Sequence, residues 1–478
     1  MRTIYAIIYT VAFCLATPYW LIRGLFNRAY LRTLKARFIG PGKILPKLSG
    51  KPRIWVWALS LGEVLSSREL VQQLINGGYD VIVTATTLSG LAQARETWPT
   101  LAIFPSPLDF SLSTRRFLDL VDPDRLILVE TDIWPGILMG LRARGIPKHL
   151  VSGRLSPRSF KNYKRIDFFW GRVLRLFDSI STQTSEDRDK FLALGADPNL
   201  VAVGGNLKFD QPPVDCSPEE KKAILTETGW PDGRWIVAGS THMGEETLIL
   251  GVFTTLLSKH KDLRLLIAPR DRHKFGLNWR IIHELFPRDS ARRGKPSPND
   301  VSARVFLLDT LGELARYYAL ADVALIGKSW PGSHDGGGHN PLEAAARAKV
   351  VLSGPRVNNF KWMYRALVEA GAAKIVDKND LATALDDLLS EPGLAESMGL
   401  KGREFVETHR GAAKETLKSL KPPIGLLFDD LEALPAPQAS PEAHLLAEAS
   451  LAAETGPATL AGPPDGTGPG ELLAKATD

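Results

Sequence analysis

The feature that most constrains the fold of this chain is a repeated alternation of short apolar segments with longer, helix-like stretches. The apolar segments are rich in β-branched residues, which is typical of buried strands, and the stretches between them are long enough for helical connections between parallel strands. Seven such segments lie in the first half of the chain, at residues 54–60, 81–86, 101–104, 126–130, 149–152, 180–183 and 201–203. The pattern predicts a parallel sheet covered by helices on both faces.

The alternation stops after residue 205 and starts again near residue 234. The interruption at 206–233 contains Gln211-Pro212-Pro213 and Trp230-Pro231-Asp232-Gly233, which are turn-forming sequences. Six further strand-like segments follow, at 235–239, 263–268, 305–308, 323–326, 350–352 and 374–376. We therefore predict an α/β protein with two doubly wound, Rossmann-like domains, at 28–205 and 234–421, joined by a linker at 206–233. A cleft between two such domains is a common ligand site.

The N-terminal 27 residues have a different character. Residues 4–26 are mostly apolar over about the length needed to cross a bilayer. Basic residues such as Arg28, Arg32 and Lys35 follow this segment, and the positive-inside rule then places the rest of the chain in the cytoplasm. We predict a membrane-anchor helix at 1–27. The alternative is an amphipathic helix that lies on the membrane surface.

The C-terminal segment at 432–478 is rich in Ala, Pro, Gly and Glu and shows no pattern that could bury a core. We predict a disordered tail there and attach no function to it.

Several classes of protein are not supported by the sequence. The chain has no Walker loop and no Gly-x-Gly-x-x-Gly after its first strand, which argues against an NTPase and a dehydrogenase. It lacks the interleaved basic and aromatic residues of an RNA-binding sheet, so its net charge of +6 suits a membrane face or a phosphorylated substrate better than nucleic acid. Two cysteines, Cys14 and Cys216, cannot form a disulfide framework or a zinc cluster.

Carboxylates follow two of the predicted strands in the first domain. Glu63 lies in Ser60-Leu61-Gly62-Glu63, and Glu130 lies in Val129-Glu130-Thr131-Asp132. Catalytic groups of doubly wound sheets lie at such strand ends. Either residue alone could simply stabilise the first turn of a helix through the helix dipole. Two acidic strand ends in one sheet favour a catalytic site.

Basic and polar groups follow other strands, where they could bind a phosphate or a carboxylate. Among them are Arg154, Lys208 and Arg270. A glycine-rich loop, Gly336-Gly337-Gly338, leads into Asn340-Pro341-Leu342-Glu343, where Asn340 can cap a helix, Pro341 suits its first turn and Glu343 falls at the third helical position. Such a helix start can bind an anion. The alternative is an ordinary capped helix in which Glu343 closes a capping box.

Eight of these motifs, taken in order, resemble the 3-deoxy-D-manno-octulosonic acid (Kdo) transferases of lipid A assembly over roughly residues 1–420. The motifs are Ala58-Leu59-Ser60-Leu61-Gly62-Glu63, Val129-Glu130-Thr131-Asp132-Ile133-Trp134-Pro135, Arg154-Leu155-Ser156, Gly205-Asn206-Leu207-Lys208-Phe209-Asp210, Gly239-Ser240-Thr241-His242, Ala268-Pro269-Arg270, Asp309-Thr310-Leu311-Gly312-Glu313 and Gly338-His339-Asn340-Pro341-Leu342-Glu343.

The resemblance implies an inverting GT-B glycosyltransferase that moves Kdo from CMP-Kdo to a lipid A precursor, lipid IVA, at the cytoplasmic face of the inner membrane. It implies that the first domain holds the acceptor and the second the donor, and that neither a metal nor a cofactor takes part. Glu63 would be the general base, and Glu130 and Lys208 would support the transition state. CMP would be held by Pro269, Arg270, Leu311, Gly312, Glu313, Asn340, Pro341, Leu342 and Glu343.

Two other functions are compatible with the same residues. One is a nucleotide-sugar glycosyltransferase of the same fold that acts on another lipid or glycan. The other is a sugar-nucleotide-binding protein without catalysis, which would have no need of Glu63 and Glu130 on the acceptor side.

Overall fold

The computed structural model describes residues 2–26, 28–40, 42–48, 50–210, 217–330 and 336–420. The predicted tail at 432–478 lies outside the described residues, as do Gln211-Pro212-Pro213 in the predicted linker. Within the described residues the chain forms two seven-stranded parallel sheets. The α/β class predicted from the alternation is confirmed.

The first sheet has the strand order β3-β2-β1-β4-β5-β6-β7. Its strands are β1 (Arg53–Trp57), β2 (Asp80–Ala85), β3 (Ala102–Pro105), β4 (Arg125–Val129), β5 (Lys148–Gly153), β6 (Ser179–Thr182) and β7 (Val201–Val203). The helices that accompany them are α1 (Arg2–Phe26), α2 (Arg28–Ile39), α3 (Leu61–Ser66), α4 (Arg68–Asn76), α5 (Leu88–Thr97), α6 (Ser111–Val121), α7 (Pro135–Ala143), α8 (Pro157–Lys164), α9 (Asp167–Leu174) and α10 (Ser185–Ala193). The direction of winding reverses between β1 and β4, which is the topological switch point of this sheet.

Both faces of the first sheet are buried, which is why its strands are nearly continuous apolar runs. Trp55 and Trp57 enter the core on one face, whereas Ile54 and Val56 enter the core on the other. All seven predicted segments overlap a strand, although the edge strands β3 and β7 are less buried than the others.

The second sheet is also parallel and doubly wound, with the order β10-β11-β9-β8-β12-β13-β14 and a switch point between β8 and β12. Its strands are β8 (Arg234–Thr241), β9 (Leu263–Pro269), β10 (Ser290–Arg292), β11 (Val305–Leu307), β12 (Val323–Ile326), β13 (Val350–Ser353) and β14 (Ala373–Ile375). The remaining helices are α11 (Pro218–Thr228), α12 (Glu245–Leu256), α13 (Phe275–Leu285), α14 (Leu314–Tyr317), α15 (Leu342–Ala345), α16 (Lys361–Glu369), α17 (Leu381–Ser390), α18 (Pro392–Thr408) and α19 (Ala412–Ser419). Six of these strands were predicted. The edge strand β10 was not, because only Ala291 of its three residues is buried and apolar.

Two helices show how the chain passes between the sheets. The predicted linker contains α11, whose Ile224 packs into a core of the second domain. The last described helix, α19, leaves the second domain and packs into the first, where Ala413 and Leu417 share a core with residues of α4. Asp210 fixes this return, since its carboxylate accepts hydrogen bonds from the backbone N–H groups of Gly411 (2.6 Å) and Ala413.

The N-terminal helix α1 lies against the first domain. The Tyr5 hydroxyl donates to the carboxylate of Asp109, and the rings of Phe13 and Phe110 meet edge to face with their centroids 4.5 Å apart. In the described part of the chain no helix combines the length and the apolar character that crossing a membrane requires. The predicted membrane-spanning helix at 1–27 is therefore not supported, and the contacts of Tyr5 and Phe13 show one face of α1 committed to protein rather than to lipid.

Candidate active site

Glu63 lies at the switch point of the first sheet, in the first turn of α3 directly after β1. Its side chain is turned back into the protein and the residue is only 9% exposed. The carboxylate accepts hydrogen bonds from the backbone N–H groups of Ser60 (3.0 Å) and Leu59. Glu63 thus closes the turn on which it sits, as the helix-start interpretation predicts, and this contact also fixes the direction in which the carboxylate points.

The environment of Glu63 raises its pKa to about 8. Burial is the largest cause, and the negative charges of Glu130 and Asp132 add to it, while the N–H donors of Leu59 and Ser60 oppose it. A carboxyl group with this pKa can exchange a proton near neutral pH, which is the property that a general base requires.

Glu130 follows β4, on the other side of the same switch point. Its backbone adopts a left-handed conformation (φ +59°), which is strained for a residue with a Cβ atom and is found mostly at functional positions. Its carboxylate Oε1 lies 2.5 Å from Nζ of Lys208. The structure therefore brings the three residues predicted to be catalytic together: Lys208 pairs with Glu130, whose charge acts on Glu63.

The switch point of the second sheet carries imidazoles and a cation. His242 follows β8, and its Nε2 lies 3.0 Å from Nε2 of His339 with the two rings stacked. Lys328 follows β12 in a left-handed conformation (φ +62°). The pKa of both imidazoles is lowered, and that of His339 falls to about 3. Burial is the largest cause, and the positive charges of Arg270 and Lys328 lower both pKa values further.

Glu245, at the start of α12, organises this second switch point, and we did not predict its role from the sequence. The side chain is fully buried. Its two oxygens accept hydrogen bonds from the backbone N–H groups of His242 (2.9 Å), Lys328 (2.7 Å), Ser329 (2.8 Å) and Trp330 (2.9 Å). The only signal in the sequence was its place after a strand-end turn, and three of its four partners lie more than 80 residues further along.

The residues predicted to bind CMP follow strands of the second sheet. Pro269 ends β9, and Arg270 next to it is exposed. The Arg270 side chain has no hydrogen bond or ion pair to any residue that the structure describes. Leu311, Gly312 and Glu313 lie beyond β11, where Leu311 is 60% exposed and Gly312 has a left-handed backbone (φ +86°).

The segment Asn340-Pro341-Leu342-Glu343 differs from the prediction. Asn340 accepts the N–H of Leu342 through its side chain (3.1 Å), but the helix begins at Leu342, so that Pro341 is the capping residue and Glu343 the second helical residue. The helix α15 is a single turn, because Ala348 (φ +55°) redirects the chain into β13. The predicted start of the helix was therefore wrong by one residue, and anion binding at this segment stays a prediction. Burial raises the pKa of Glu343, against the charges of Arg270 and Arg347.

Contacts between the domains bring the two switch points to one cleft. Nη1 of Arg154 donates to the carbonyl of Asn359 (2.8 Å), whose own N–H donates to the carbonyl of Gly337 in the glycine-rich loop (2.8 Å). Nζ of Lys208 lies 5.9 Å from the ring centre of Phe360. Residues beyond the strand ends of the first domain thus contact the second domain next to its glycine-rich loop.

Two doubly wound parallel sheets that meet at a cleft define the GT-B class of architecture. The crystal structure of UDP-GlcNAc 2-epimerase from Neisseria meningitidis, bound to UDP-GlcNAc, shares this fold with a TM-score of 0.54. The two chains are 13% identical, and the match covers 77% of this chain and 99% of the epimerase. At this identity the likeness concerns the fold alone.

Sequence comparisons define the family within this class. A family model described as 3-Deoxy-D-manno-octulosonic-acid transferase (kdotransferase) matches residues 32–211. The 3-deoxy-D-manno-octulosonic acid transferase of Bordetella pertussis is 34% identical over 413 residues, which cover 82% of this chain and 91% of that protein. The Haemophilus influenzae enzyme is 31% identical over 379 residues, or 77% of this chain and 86% of that protein. The chain belongs to the Kdo transferase family, and the predicted family membership is confirmed.

Proposed function

We propose that this protein transfers Kdo from CMP-Kdo to a lipid A precursor, lipid IVA, with inversion at the anomeric carbon. The observation that carries the proposal is the group of Glu63, Glu130 and Lys208 at the first switch point, where Lys208 and Arg154 contact the second domain. A donor with a negatively charged phosphate suits the second domain, and an acceptor hydroxyl that must lose a proton suits the first. Membership of the Kdo transferase family supports the choice of sugar.

In the proposed reaction Glu63 takes the proton of the acceptor hydroxyl as that oxygen attacks the anomeric carbon of Kdo. The bond between the anomeric carbon and the phosphate oxygen breaks, and CMP leaves with the electron pair. Lys208, held by Glu130 at 2.5 Å, places a positive charge beside the reacting groups. Arg270 is exposed and unpaired among the described residues, so it is available to bind the phosphate of CMP.

We propose that α1 holds the protein on the membrane surface, which is the alternative that the sequence left open. One face of α1 packs on the first domain through Tyr5 and Phe13. The other face exposes a stripe of large apolar side chains at helical spacing, formed by Ile4, Ile7, Ile8, Val11 and Leu15. Such a helix can lie in the lipid interface, which would place the acceptor-binding domain next to the inner membrane on its cytoplasmic side.

The direct test is transfer of Kdo from CMP-Kdo to lipid IVA by the purified protein in detergent, followed by mass spectrometry of the lipid. Calorimetric titration with CMP, UDP and GDP supplies the independent check on the donor. Preferential binding of UDP or GDP would reject Kdo transfer and favour another nucleotide-sugar transferase. Binding of CMP without any transfer would favour a non-catalytic binding protein.

A further inference from the structure

The second switch point carries more positive charge than one phosphate needs. Arg270 follows β9 and Lys328 follows β12, on either side of β8. Like Arg270, Lys328 has a side chain with no hydrogen bond or ion pair to the residues that the structure describes. The charges of both act on His242 and His339. Two uncompensated cations next to an imidazole pair are an arrangement that binds anions.

The neighbouring carboxylates of the described residues form no ion pair with these two cations. Both oxygens of Glu245 are occupied by four backbone N–H groups. The charges of Glu245 and Asp271 still act on His242, in the sense opposite to those of Lys328 and Arg270. Glu343 lies near Arg270, but burial raises its pKa and so favours its neutral form. The side chains of Arg270 and Lys328 therefore remain available to an anionic ligand.

The imidazole pair adds hydrogen-bond donors that can adapt to a ligand. With 3.0 Å between the two Nε2 atoms, one hydrogen lies between the rings, and one ring donates while the other accepts. Glu245 fixes the backbone at His242, and the Tyr364 hydroxyl fixes the backbone at His339 by donating to its carbonyl (3.0 Å). Buried groups on α12 and α16 thus hold the imidazole pair in place.

We propose that His242, His339 and Lys328 form a subsite for the carboxylate of the donor sugar, next to the phosphate site at Arg270. This carboxylate subsite rests on the proposed function and specifies how the donor is chosen. An octulosonic acid carries its carboxylate on the anomeric carbon, and in the donor the same carbon carries the phosphate. The donor therefore presents two anions a few bonds apart, which matches cations at adjacent strand ends. A neutral sugar nucleotide would leave the carboxylate subsite empty.

The test compares CMP, which has no sugar carboxylate, with CMP-Kdo. Both are titrated without acceptor into the wild type, Lys328→Gln, and a double variant His242→Phe and His339→Phe that keeps the rings but removes their nitrogens. We expect CMP to bind all of them alike. CMP-Kdo should bind the variants about 10- to 100-fold more weakly, the loss expected for a hydrogen bond to a charged group. Lys328→Arg, which keeps the charge, should restore most of the affinity.

Arg270→Ala is the matched variant, since it should weaken CMP and CMP-Kdo to the same degree. Equal weakening of both ligands by Lys328→Gln would overturn the carboxylate subsite and assign Lys328 to the nucleotide. An unchanged CMP-Kdo affinity in Lys328→Gln would overturn it as well, whether or not the histidine double variant folds. If the wild type prefers UDP to CMP, the proposed function itself fails. That outcome is distinct from the two results with Lys328→Gln that would overturn only the carboxylate subsite.

Discussion

In the first domain the switch point between β1 and β4 carries Glu63 and Glu130, whereas in the second domain the switch point between β8 and β12 carries His242 and Lys328. In each sheet the winding reverses at one switch point, and both switch points keep a buried glutamate that accepts backbone N–H groups. They differ in the charge that faces the cleft, which is negative in the first and positive in the second. Under the proposed function, equivalent positions of one architecture serve opposite tasks, proton removal and anion binding.

This comparison predicts that changes in the first switch point affect turnover and changes in the second affect binding. Glu63→Gln keeps the size of the side chain and removes its basicity. We expect kcat to fall by about 10²- to 10⁴-fold, the usual worth of general-base catalysis. CMP affinity, measured by calorimetry, should stay unchanged. Turnover within a few-fold of wild type would assign the base to another group, with Glu130 and Asp132 as the next candidates.

The pH dependence sharpens the same assignment. A base must be ionised, and the pKa of Glu63 is raised to about 8 by burial and by Glu130. We therefore expect kcat/KM to rise about tenfold per pH unit up to about pH 8 and then to level off. A glutamate of ordinary pKa would give a flat profile over this range. Initial rates between pH 6 and 9 at limiting CMP-Kdo distinguish the two, and Glu63→Gln should lose the rising limb.

On the other side of the cleft, Arg270→Ala should weaken CMP by about 1.5–3 kcal/mol, the range for hydrogen bonds to charged groups. Arg272→Ala is the control, because Arg272 is an exposed cation only two residues away. Calorimetric dissociation constants for CMP check both variants. Equal effects of the two substitutions would show that Arg270 contributes only to the general positive field. An unchanged CMP dissociation constant in Arg270→Ala would show that the phosphate binds elsewhere.

The smallest effect is expected from α1, which lies outside the cleft. Replacing Ile7, Ile8 and Leu15 together by Ser should reduce binding to anionic vesicles at least about tenfold, since each aliphatic side chain that enters lipid contributes on the order of 1 kcal/mol or more. CMP affinity should not change. The control is Ile44→Ser, which removes an equally exposed apolar side chain outside the helix. Vesicle sedimentation that is the same for the triple variant and wild type would contradict the proposed surface anchor.

The inner strands of each sheet were predictable because they are buried on both faces and therefore appear in the sequence as apolar runs. The position of Glu63 and Glu130 at the switch point was predictable for a related reason, since each residue follows such a run. Other features escaped prediction. The edge strand β10 was missed because the sequence around it is polar. The contacts of Glu245 with the backbone of residues 328–330 were missed because only the fold brings them together. The single turn of α15 was missed because the left-handed backbone at Ala348 leaves no trace in residue type.

The pairing of His242 with His339 was also beyond sequence reasoning. Both residues lie in motifs that the family resemblance includes, yet 97 positions separate them along the chain. Their contact depends on β8 and β12 being neighbours, which follows from the reversal of winding and not from any local pattern.

The return of α19 to the first domain has a consequence for any attempt to exchange sugar specificity between relatives. Because Leu207 and Leu417 belong to one core, the folding unit of the first domain is discontinuous, and the second domain is in effect an insert between them. A chimera that simply joined one N-terminal half to another C-terminal half would combine α19 of one protein with α4 of the other. Grafting only the segment between residues 217 and 410 keeps the native partners of α19, with both splice points at surface connections.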